Sequence, residues 1–419
     1  MHILRGAIFS LRNVLAIEGK PDVEKAEETV KLLKYLISVG VQPVLVSNSA
    51  WTMVDSKEAF NDYFSRLVGQ ELPYYQGGKD MKPKQYAEAM AHVLDAQGWS
   101  AQEVIYIGNT KEDIQAASNG GLLLLNAKWH EENSPYGFEF SSPRDIAKFV
   151  DCCCLTPGEW FWGIEDENLR IYTIAPLGEF SRAYPEAAKY SSDAKKAVKF
   201  GLGDLRFWGL LMAARIHLSG IGAEASYVAP YPGHKSTSSK AELLQAVSIA
   251  SGSLRANYLQ DYILRHNDAP KSQTLRNAGH MPSAKNQLKT VHLRRDPLKT
   301  GAVGGRYKSP PNVRGKTVLL VDDICTQGHS LETARAFVEA EGANVICLCW
   351  LKTPGANDYY EIKNLQPPIN KPHAAYDPQS YDVSQHSNSD NVMNKNAATE
   401  IADAFSRFQD WDWPADLAE

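Results

Sequence analysis

Residues 318–330 read Val-Leu-Leu-Val-Asp-Asp-Ile-Cys-Thr-Gln-Gly-His-Ser, an apolar run that ends in two acids and a turn of small and polar residues. Such a run predicts a strand buried on both faces of a parallel sheet. A helical pattern over 331–341 follows and stops at Gly342. Strand, turn and helix in this order predict an α/β unit, and ligands of such units bind where the strands end.

The turn has the chemistry of a sugar-phosphate site. Asp322 and Asp323 can accept hydrogen bonds from the two hydroxyls of a ribose diol. Residues 326–330 offer backbone N–H groups and hydroxyls to a 5′-phosphate at the start of a helix. Gly328 allows the backbone to approach closely. The alternative is an ordinary strand–turn–helix whose acids face solvent.

This stretch resembles the phosphoribosyl pyrophosphate (PRPP) motif of type I phosphoribosyltransferases. That motif usually has a second Thr or Ser at the position of Gln327 and a small residue at that of His329, so the loop is more crowded here. Further segments narrow the resemblance to the competence protein F (ComF)-like branch: Tyr190-Ser191 with 197–199, the strand and Pro-rich loop of 226–235, a helix at 241–244, and residues 283–303. The resemblance implies a type I phosphoribosyltransferase domain over 155–365.

The resemblance also implies site residues. PRPP would bind together with Mg²⁺, which is held by the oxygens of PRPP itself, with no direct protein ligand. The implied catalytic residues are Asp322 and Asp323; the 5′-phosphate site is Thr326, Gln327, Gly328, His329 and Ser330; the pyrophosphate loop is Pro232, Gly233, His234 and Lys235; and the candidates for closing over the diphosphate are Arg265, Arg294 and Arg295. The loop His and Lys could equally be solvated, and each arginine could instead have a structural or surface role.

The acceptor is less defined than the donor. Thr326 stands where hypoxanthine-type relatives have an Asp general base, which argues against 6-oxopurine salvage. The aromatic residues of segment 155–190 are expected either to form a hood over the acceptor or to pack in the interior; they are Trp160, Phe161, Trp162, Tyr172 and Tyr184. The implied acceptor is nucleobase-like and unidentified.

The first 150 residues alternate strand and helix patterns, which predicts a second parallel sheet. Its strand ends resemble, in order, the four motifs of the haloacid dehalogenase (HAD) phosphatase superfamily, with Gly108-x-x-x-x-Asp113-x-x-Ala116-Ala117 as the most specific piece. The corresponding residues are Ser10, Arg12, Ser47, Lys82, Asn109 and Asp113. No large insertion follows the first strand, so the implied domain has no cap.

The same resemblance implies a degenerate phosphatase site. The family uses two Asp residues where this chain has Ser10 and Arg12, and an acidic magnesium ligand near the neutral Asn109. A Ser without an adjacent base is a poor nucleophile, and Arg12 adds positive charge where magnesium would sit. A scaffold or dimerisation module is expected. The alternatives are a non-catalytic phosphate or nucleotide sensor, in which Ser47 and Lys82 hold the anion, and an active phosphatase.

Composition argues against several other classes of protein. The 419 residues carry a net charge of -5, so no global basic field is available to hold nucleic acid. No apolar run approaches a membrane span. None of the six Cys forms a C-x-x-C pair, so neither a zinc site nor a disulfide framework is indicated, and a cytoplasmic protein is expected.

Together these patterns predict an α/β fold with two Rossmann-like parallel-sheet domains, a capless HAD-like domain over 1–150 and the phosphoribosyltransferase domain, and a C-terminal helical tail. Residues 366–398 are rich in Asn, Ser, Pro and Asp and are predicted to form a flexible linker or loop. The tail over 399–419 is expected to dock on the body or on a partner subunit.

The predicted function is transfer of a phosphoribosyl group, or hydrolysis of PRPP. The alternative is a non-catalytic PRPP or nucleotide sensor that acts through a protein partner, bound by the HAD-like domain or the tail. Two Rossmann-like modules in one chain are also compatible with a homodimer.

Overall fold

The computed structural model describes residues 2–17, 20–21, 23–53, 56–130, 137–155, 159–167, 169–236, 247, 256–269, 283–298, 305–355 and 357–417. The predicted helix at 241–244 and the 301–303 part of the PRPP resemblance lie outside these residues. Two six-stranded sheets organise the described chain. The predicted fold class is confirmed.

The N-terminal unit is a parallel α/β layer structure. Its elements are β1 (Gly6–Ser10), β2 (Ala16–Ile17), β3 (Lys20–Pro21), α1 (Val23–Ser38), β4 (Gln42–Ser47), α2 (Phe60–Val68), β5 (Tyr74–Gln76), α3 (Ala87–Gln97), β6 (Val104–Gly108), α4 (Lys111–Gly120), β7 (Leu123–Ala127), β8 (Phe138–Phe140) and α5 (Pro143–Phe149). The sheet order is β5-β4-β1-β6-β7-β8, and every pairing is parallel. The carboxyl ends of β1, β4 and β6 therefore meet at one edge.

The second unit has the same plan with an antiparallel edge. Its elements are β9 (Trp162–Glu165), β10 (Arg170–Pro176), α6 (Ala188–Phe200), α7 (Leu205–Ser219), α8 (Ile221–Glu224), β11 (Ala225–Pro230), β12 (Asn257–Tyr258), β13 (Ile263–Arg265), α9 (Ala284–Leu288), β14 (Val291–Leu293), β15 (Thr317–Cys325), α10 (His329–Ala340), β16 (Asn344–Lys352), β17 (Tyr359–Gln366), β18 (Ser380–His386) and α11 (Ala397–Gln409). The sheet order is β12-β11-β15-β16-β10-β9, in which β9 alone runs antiparallel. The acidic strand β15 is central, between β11 and β16.

The segment predicted as a linker contains a strand. β18 pairs antiparallel with β17. A side-chain hydrogen bond also joins the two strands, from Asn364 Nδ2 to Asp382 Oδ2 at 2.7 Å. Most side chains of β18 are exposed or half-buried. Ladder hydrogen bonds join main-chain groups and need no apolar side chains, which is why a polar composition concealed the strand.

The aromatic residues of 155–190 do not form a hood. Trp160, Phe161, Trp162 and Tyr172 are buried, on or next to the strands β9 and β10. Trp160 stacks on Tyr172 with ring centroids 5.2 Å apart, and Tyr184 packs edge-on against Phe161. Interior packing, the alternative in the sequence analysis, is what the structure has.

One apolar core continues from the N-terminal unit into the second unit. Helix α7 lies at this junction and is buried all round from Phe207 to Leu218. His217 Nε2 lies 2.9 Å from the carbonyl oxygen of Val104 at the start of β6. The apolar face of α11 is buried, and Trp411 packs edge-on against Tyr35 of α1 at 6.1 Å. The tail therefore docks on the body of its own chain. Within the described residues, no helix is long and apolar enough to cross a membrane.

Candidate functional site

In the turn after β15, the backbone carbonyl groups of residues 326–328 accept hydrogen bonds from groups outside these three residues. The Thr326 carbonyl accepts a hydrogen bond from Lys352 Nζ at 2.8 Å. The Gln327 carbonyl accepts from the Tyr360 N–H at 3.1 Å, and the Gly328 carbonyl from the Glu332 N–H at 2.9 Å, the first bond of α10. C=O and N–H point in opposite directions in a trans peptide. The N–H groups of residues 327–329 therefore face the concave side of the turn, an arrangement that binds anions.

The fold itself requires a glycine at position 328. Its φ is +84°, and a Cβ placed there would lie 2.2 Å from a ring atom of Tyr359. Tyr359 is fully buried, and its hydroxyl donates to Glu332 Oε1 at 2.6 Å. The back of the turn is thus filled by the first residue of β17.

The two acids are fixed at the strand end. Asp322 is 4% exposed, and its Oδ1 accepts from the Asp323 N–H at 2.9 Å. Asp323 is half-buried, and its Oδ1 accepts from the Ile324 N–H at 3.0 Å. Carboxylates held in this way are acceptors for neighbouring hydroxyl groups, as a ribose diol requires.

The predicted pyrophosphate loop lies beside this turn. It follows β11, which pairs with β15, and the Tyr231 N–H donates to the Val321 carbonyl at 2.8 Å. Of its residues, Pro232 is half-buried and Gly233 is buried, whereas His234 and Lys235 are exposed. The structure therefore brings the predicted diol, phosphate and pyrophosphate segments to one sheet edge.

The three predicted closing arginines have different surroundings. Arg265 is buried behind the pyrophosphate loop, where it donates to the Gly233 carbonyl and, at 2.9 Å, to Tyr231 Oη. This position corrects the prediction that Arg265 closes over the diphosphate, because the guanidinium supports the loop from within. Arg294 pairs with Asp261 at 3.0 Å, and Arg295 is exposed.

The edge of the N-terminal sheet carries a closed polar cluster around Asp113. Asp113 Oδ1 accepts from Lys84 Nζ at 2.6 Å and from Tyr106 Oη at 2.8 Å. Its Oδ2 accepts from the N–H groups of Asn109 and Thr110 at 3.0 and 2.9 Å. Burial would raise the pKa of Asp113, but the Lys84 ammonium and these N–H donors hold it below the usual value.

The lysine of this cluster is Lys84, and the prediction of Lys82 was wrong. Lys82 is exposed, whereas Lys84 is buried and also donates to Ser10 Oγ at 2.9 Å. The Lys84 N–H donates to Asn48 Oδ1 at 2.8 Å, which fixes the backbone with this side chain inward. The sequence offers two lysines around Pro83, and only the fold selects one.

The other predicted residues of the degenerate site bond within the chain. Ser47 Oγ accepts from Trp51 Nε1 at 2.9 Å and from the Ser49 N–H at 3.2 Å. Asn109 Nδ2 donates to the Ala127 carbonyl at 2.8 Å. Arg12 is exposed. Among the described residues, no cluster of three or more His, Cys, Asp and Glu side chains is arranged to hold a metal ion.

A comparison with protein families matches residues 267–390 to the phosphoribosyl transferase domain. The chain contains a phosphoribosyltransferase domain. The match includes β15, the turn that follows it and α10. It also runs through β18, so this strand of the segment predicted as a linker lies inside the matched region.

Solved structures similar to part of the chain include members of the HAD superfamily. The deoxy-D-mannose-octulosonate 8-phosphate phosphatase of Haemophilus influenzae is 16% identical, with a TM-score of 0.25, over 35% of this chain and 86% of that one. A HAD-superfamily hydrolase of Ehrlichia chaffeensis is 15% identical, with a TM-score of 0.25, over 36% of this chain and 98% of that one. Among curated proteins nothing matches.

Four residues of the two sites were missed from the sequence: Lys84, Tyr106, Lys352 and Tyr359. Distance in sequence from the phosphoribosyltransferase motif would not have found Lys352 or Tyr359, because β16 lies beside β15 in the sheet and β17, outside that sheet, packs Tyr359 against Gly328. Tyr106 lies within the buried strand β6, where an aromatic residue reads as core. Its hydroxyl gains a role only through Asp113.

Proposed function

We propose that the protein binds PRPP at the turn after β15 and transfers its phosphoribosyl group to a nucleobase-like acceptor or to water. The observation that supports this best is the outward orientation of the carbonyls of residues 326–328, which leaves the N–H groups for a 5′-phosphate. Asp322 and Asp323 at the same strand end suit the ribose diol. The loop over 231–236 lies beside them for the diphosphate.

The chemistry asked of these residues is positioning and charge stabilisation. The bond from C1 of the ribose to the diphosphate breaks and the diphosphate leaves with the electron pair, while the acceptor bonds to C1 through a lone pair and releases its proton to solvent. The loop of 231–236 stabilises the leaving charge. Magnesium, when bound through the oxygens of PRPP itself, would neutralise the diphosphate.

We further propose that the HAD-like domain is a non-catalytic scaffold. Ser10 Oγ accepts from the Lys84 ammonium at 2.9 Å rather than facing a base. Asp113 accepts five hydrogen bonds from its own chain, and the Ser47 hydroxyl already accepts two. These contacts support a structural role over a phosphate sensor. All six Cys are buried free thiols, which fits a reducing cytoplasm.

A PRPP sensor is the second candidate function. Gln327 and His329 crowd the phosphate turn, and the His329 ring stacks on Tyr360 with centroids 6.0 Å apart. A phosphate fold can be retained for binding alone. Turnover separates the two functions, since a sensor binds PRPP without releasing pyrophosphate.

The experiment is calorimetric titration of the full chain with PRPP, with and without magnesium, together with a pyrophosphate-release assay. The Asp322→Asn/Asp323→Asn variant is compared with Asp95→Asn, an exposed acid on α3. We expect magnesium-dependent binding that the double variant loses and Asp95→Asn keeps. Pyrophosphate release then supports the enzyme over the sensor. Absence of binding by the natural protein contradicts both.

A further inference from the structure

Lys352, at the end of β16, is buried and gives all its donors to main-chain carbonyls. Its Nζ lies 2.8 Å from the Thr326 carbonyl, 3.1 Å from that of Thr353 and 2.7 Å from that of Asn357. An ammonium group has three N–H donors, so these three acceptors use the full set. The ammonium also sits 5.1 Å from the ring centre of Trp162.

This buried charge lacks an acidic neighbour at contact distance. Among the described residues, no carboxylate oxygen lies within 4.0 Å of Lys352 Nζ. Burial lowers the pKa of Lys352 below its usual value, and the opposing effect of charge on Cys325, Cys349 and the surface acid Asp358 does not offset it.

The position of the ammonium relates it directly to the phosphate turn. The peptide whose carbonyl it holds is the one that carries the Gln327 N–H. Because the two groups of a peptide are antiparallel, holding the carbonyl outward directs this N–H into the turn. The same ammonium bonds to residues 353 and 357, so it joins the phosphate turn to the loop that follows β16.

We propose that Lys352 is the positioning residue of the 5′-phosphate site: its ammonium orients the Thr326–Gln327 peptide toward the phosphate and places a positive charge behind it. The inference rests on the proposed function, because it takes the anion in the turn to be a phosphate monoester. Lys352 does not touch the reacting atoms. Its donors are used within the chain, so it acts through the turn.

The test uses two probes that occupy different parts of the site. Ribose 5-phosphate reports on the turn after β15, and magnesium pyrophosphate reports on the loop of 231–236. Both are titrated into the full chain, into Lys352→Met, and into Lys316→Met as the matched control. Lys316 also lies over an aromatic ring, 5.5 Å from that of Tyr227, but it is exposed near the opposite end of β15. Near-ultraviolet circular dichroism checks the fold of each variant.

We expect Lys352→Met to weaken ribose 5-phosphate binding by about tenfold or more, the effect of losing a charge-assisted hydrogen bond at a buried site. Pyrophosphate binding should change less than twofold, and Lys316→Met should change neither. If Lys352→Met does not fold, Lys352→Gln replaces it and keeps one neutral amide donor.

Two results overturn the inference alone: unchanged ribose 5-phosphate affinity in a folded Lys352 variant, or an equal loss of both probes, which indicates general damage. Failure of the natural protein to bind ribose 5-phosphate overturns the proposed function as well. The two failures are distinguishable because the second is seen without any substitution.

Discussion

The structural role of several single residues in this chain depends on which groups surround them. Gly328 is buried, and the Tyr359 ring beside it excludes any side chain. Lys84 and Lys82 differ by two positions and have opposite environments, one buried on Asp113 and one in solvent. In the N-terminal unit the buried Lys84 ammonium supplies the positive charge that balances the Asp113 carboxylate.

This contrast gives a prediction at the residue scale. Lys84→Met leaves Asp113 buried without its cation, so it should lower the free energy of unfolding by about 3–5 kcal/mol. Lys82→Met should change it by less than about 0.5 kcal/mol, as is usual at exposed positions. Urea unfolding of the full chain measures both. Equal effects of the two substitutions would restore Lys82 as the residue of the cluster.

Among the elements, α10 and β17 form the support of the phosphate turn. Glu332 of α10 is fully buried and accepts from Tyr359 Oη at 2.6 Å and from the Ile362 N–H at 2.8 Å. Arg335 makes a two-point ion pair with the same carboxylate, at 3.0 and 2.6 Å. This carboxylate therefore joins the helix that begins at the turn to the strand that packs behind it.

We expect Glu332→Gln to destabilise the protein by about 3 kcal/mol, since an amide cannot accept all these bonds and leaves Arg335 partly unpaired. Ribose 5-phosphate affinity should fall with it, because Tyr359 no longer holds Gly328 firmly. Glu339→Gln is the control: its carboxylate also pairs with Arg335, at 3.1 Å, but is partly exposed, and such pairs contribute under about 1 kcal/mol. Thermal unfolding and titration measure the two effects, and an equal loss in both variants would contradict this account of the support.

At the scale of the molecule, the two units are joined by a continuous core rather than by a hinge. Helix α7 is buried all round from Phe207 to Leu218, because it has the N-terminal unit on one side and the second sheet on the other. Trp208 of α7 stacks on Trp350 of β16 with ring centroids 5.5 Å apart. On this interface lies His217, which bonds to the Val104 carbonyl.

The buried histidine predicts a pH dependence of stability. Burial lowers the pKa of His217 to about 4 from its usual value near 6.5, so the folded state keeps the ring neutral while the unfolded state binds a proton. The stability is therefore fully present above about pH 6.5 and is lost as the pH falls toward about 4, by up to about 3 kcal/mol.

The measurement is urea unfolding at a series of pH values from 7.5 to about 4.5. His217→Gln should lose less stability than the natural protein across this window, because the variant has no ring to protonate. His92→Gln, at an exposed position of α3, should follow the natural protein. A His217→Gln profile parallel to that of the natural protein would remove the role assigned to this contact.

The sequence by itself determined the two mainly parallel sheets and the place of the turn after β15. Strands such as β15 are buried on both faces, so their apolar runs are visible locally, and the acids, Gly328 and the helix start follow within ten residues. Only the tertiary structure decided that Lys84 faces inward and that Arg265 and the aromatic residues of 155–190 pack inside. It also decided that Lys352 and Tyr359 contact the turn after β15. Those outcomes depend on burial and on strand pairing between distant segments, which the local pattern of residues does not encode.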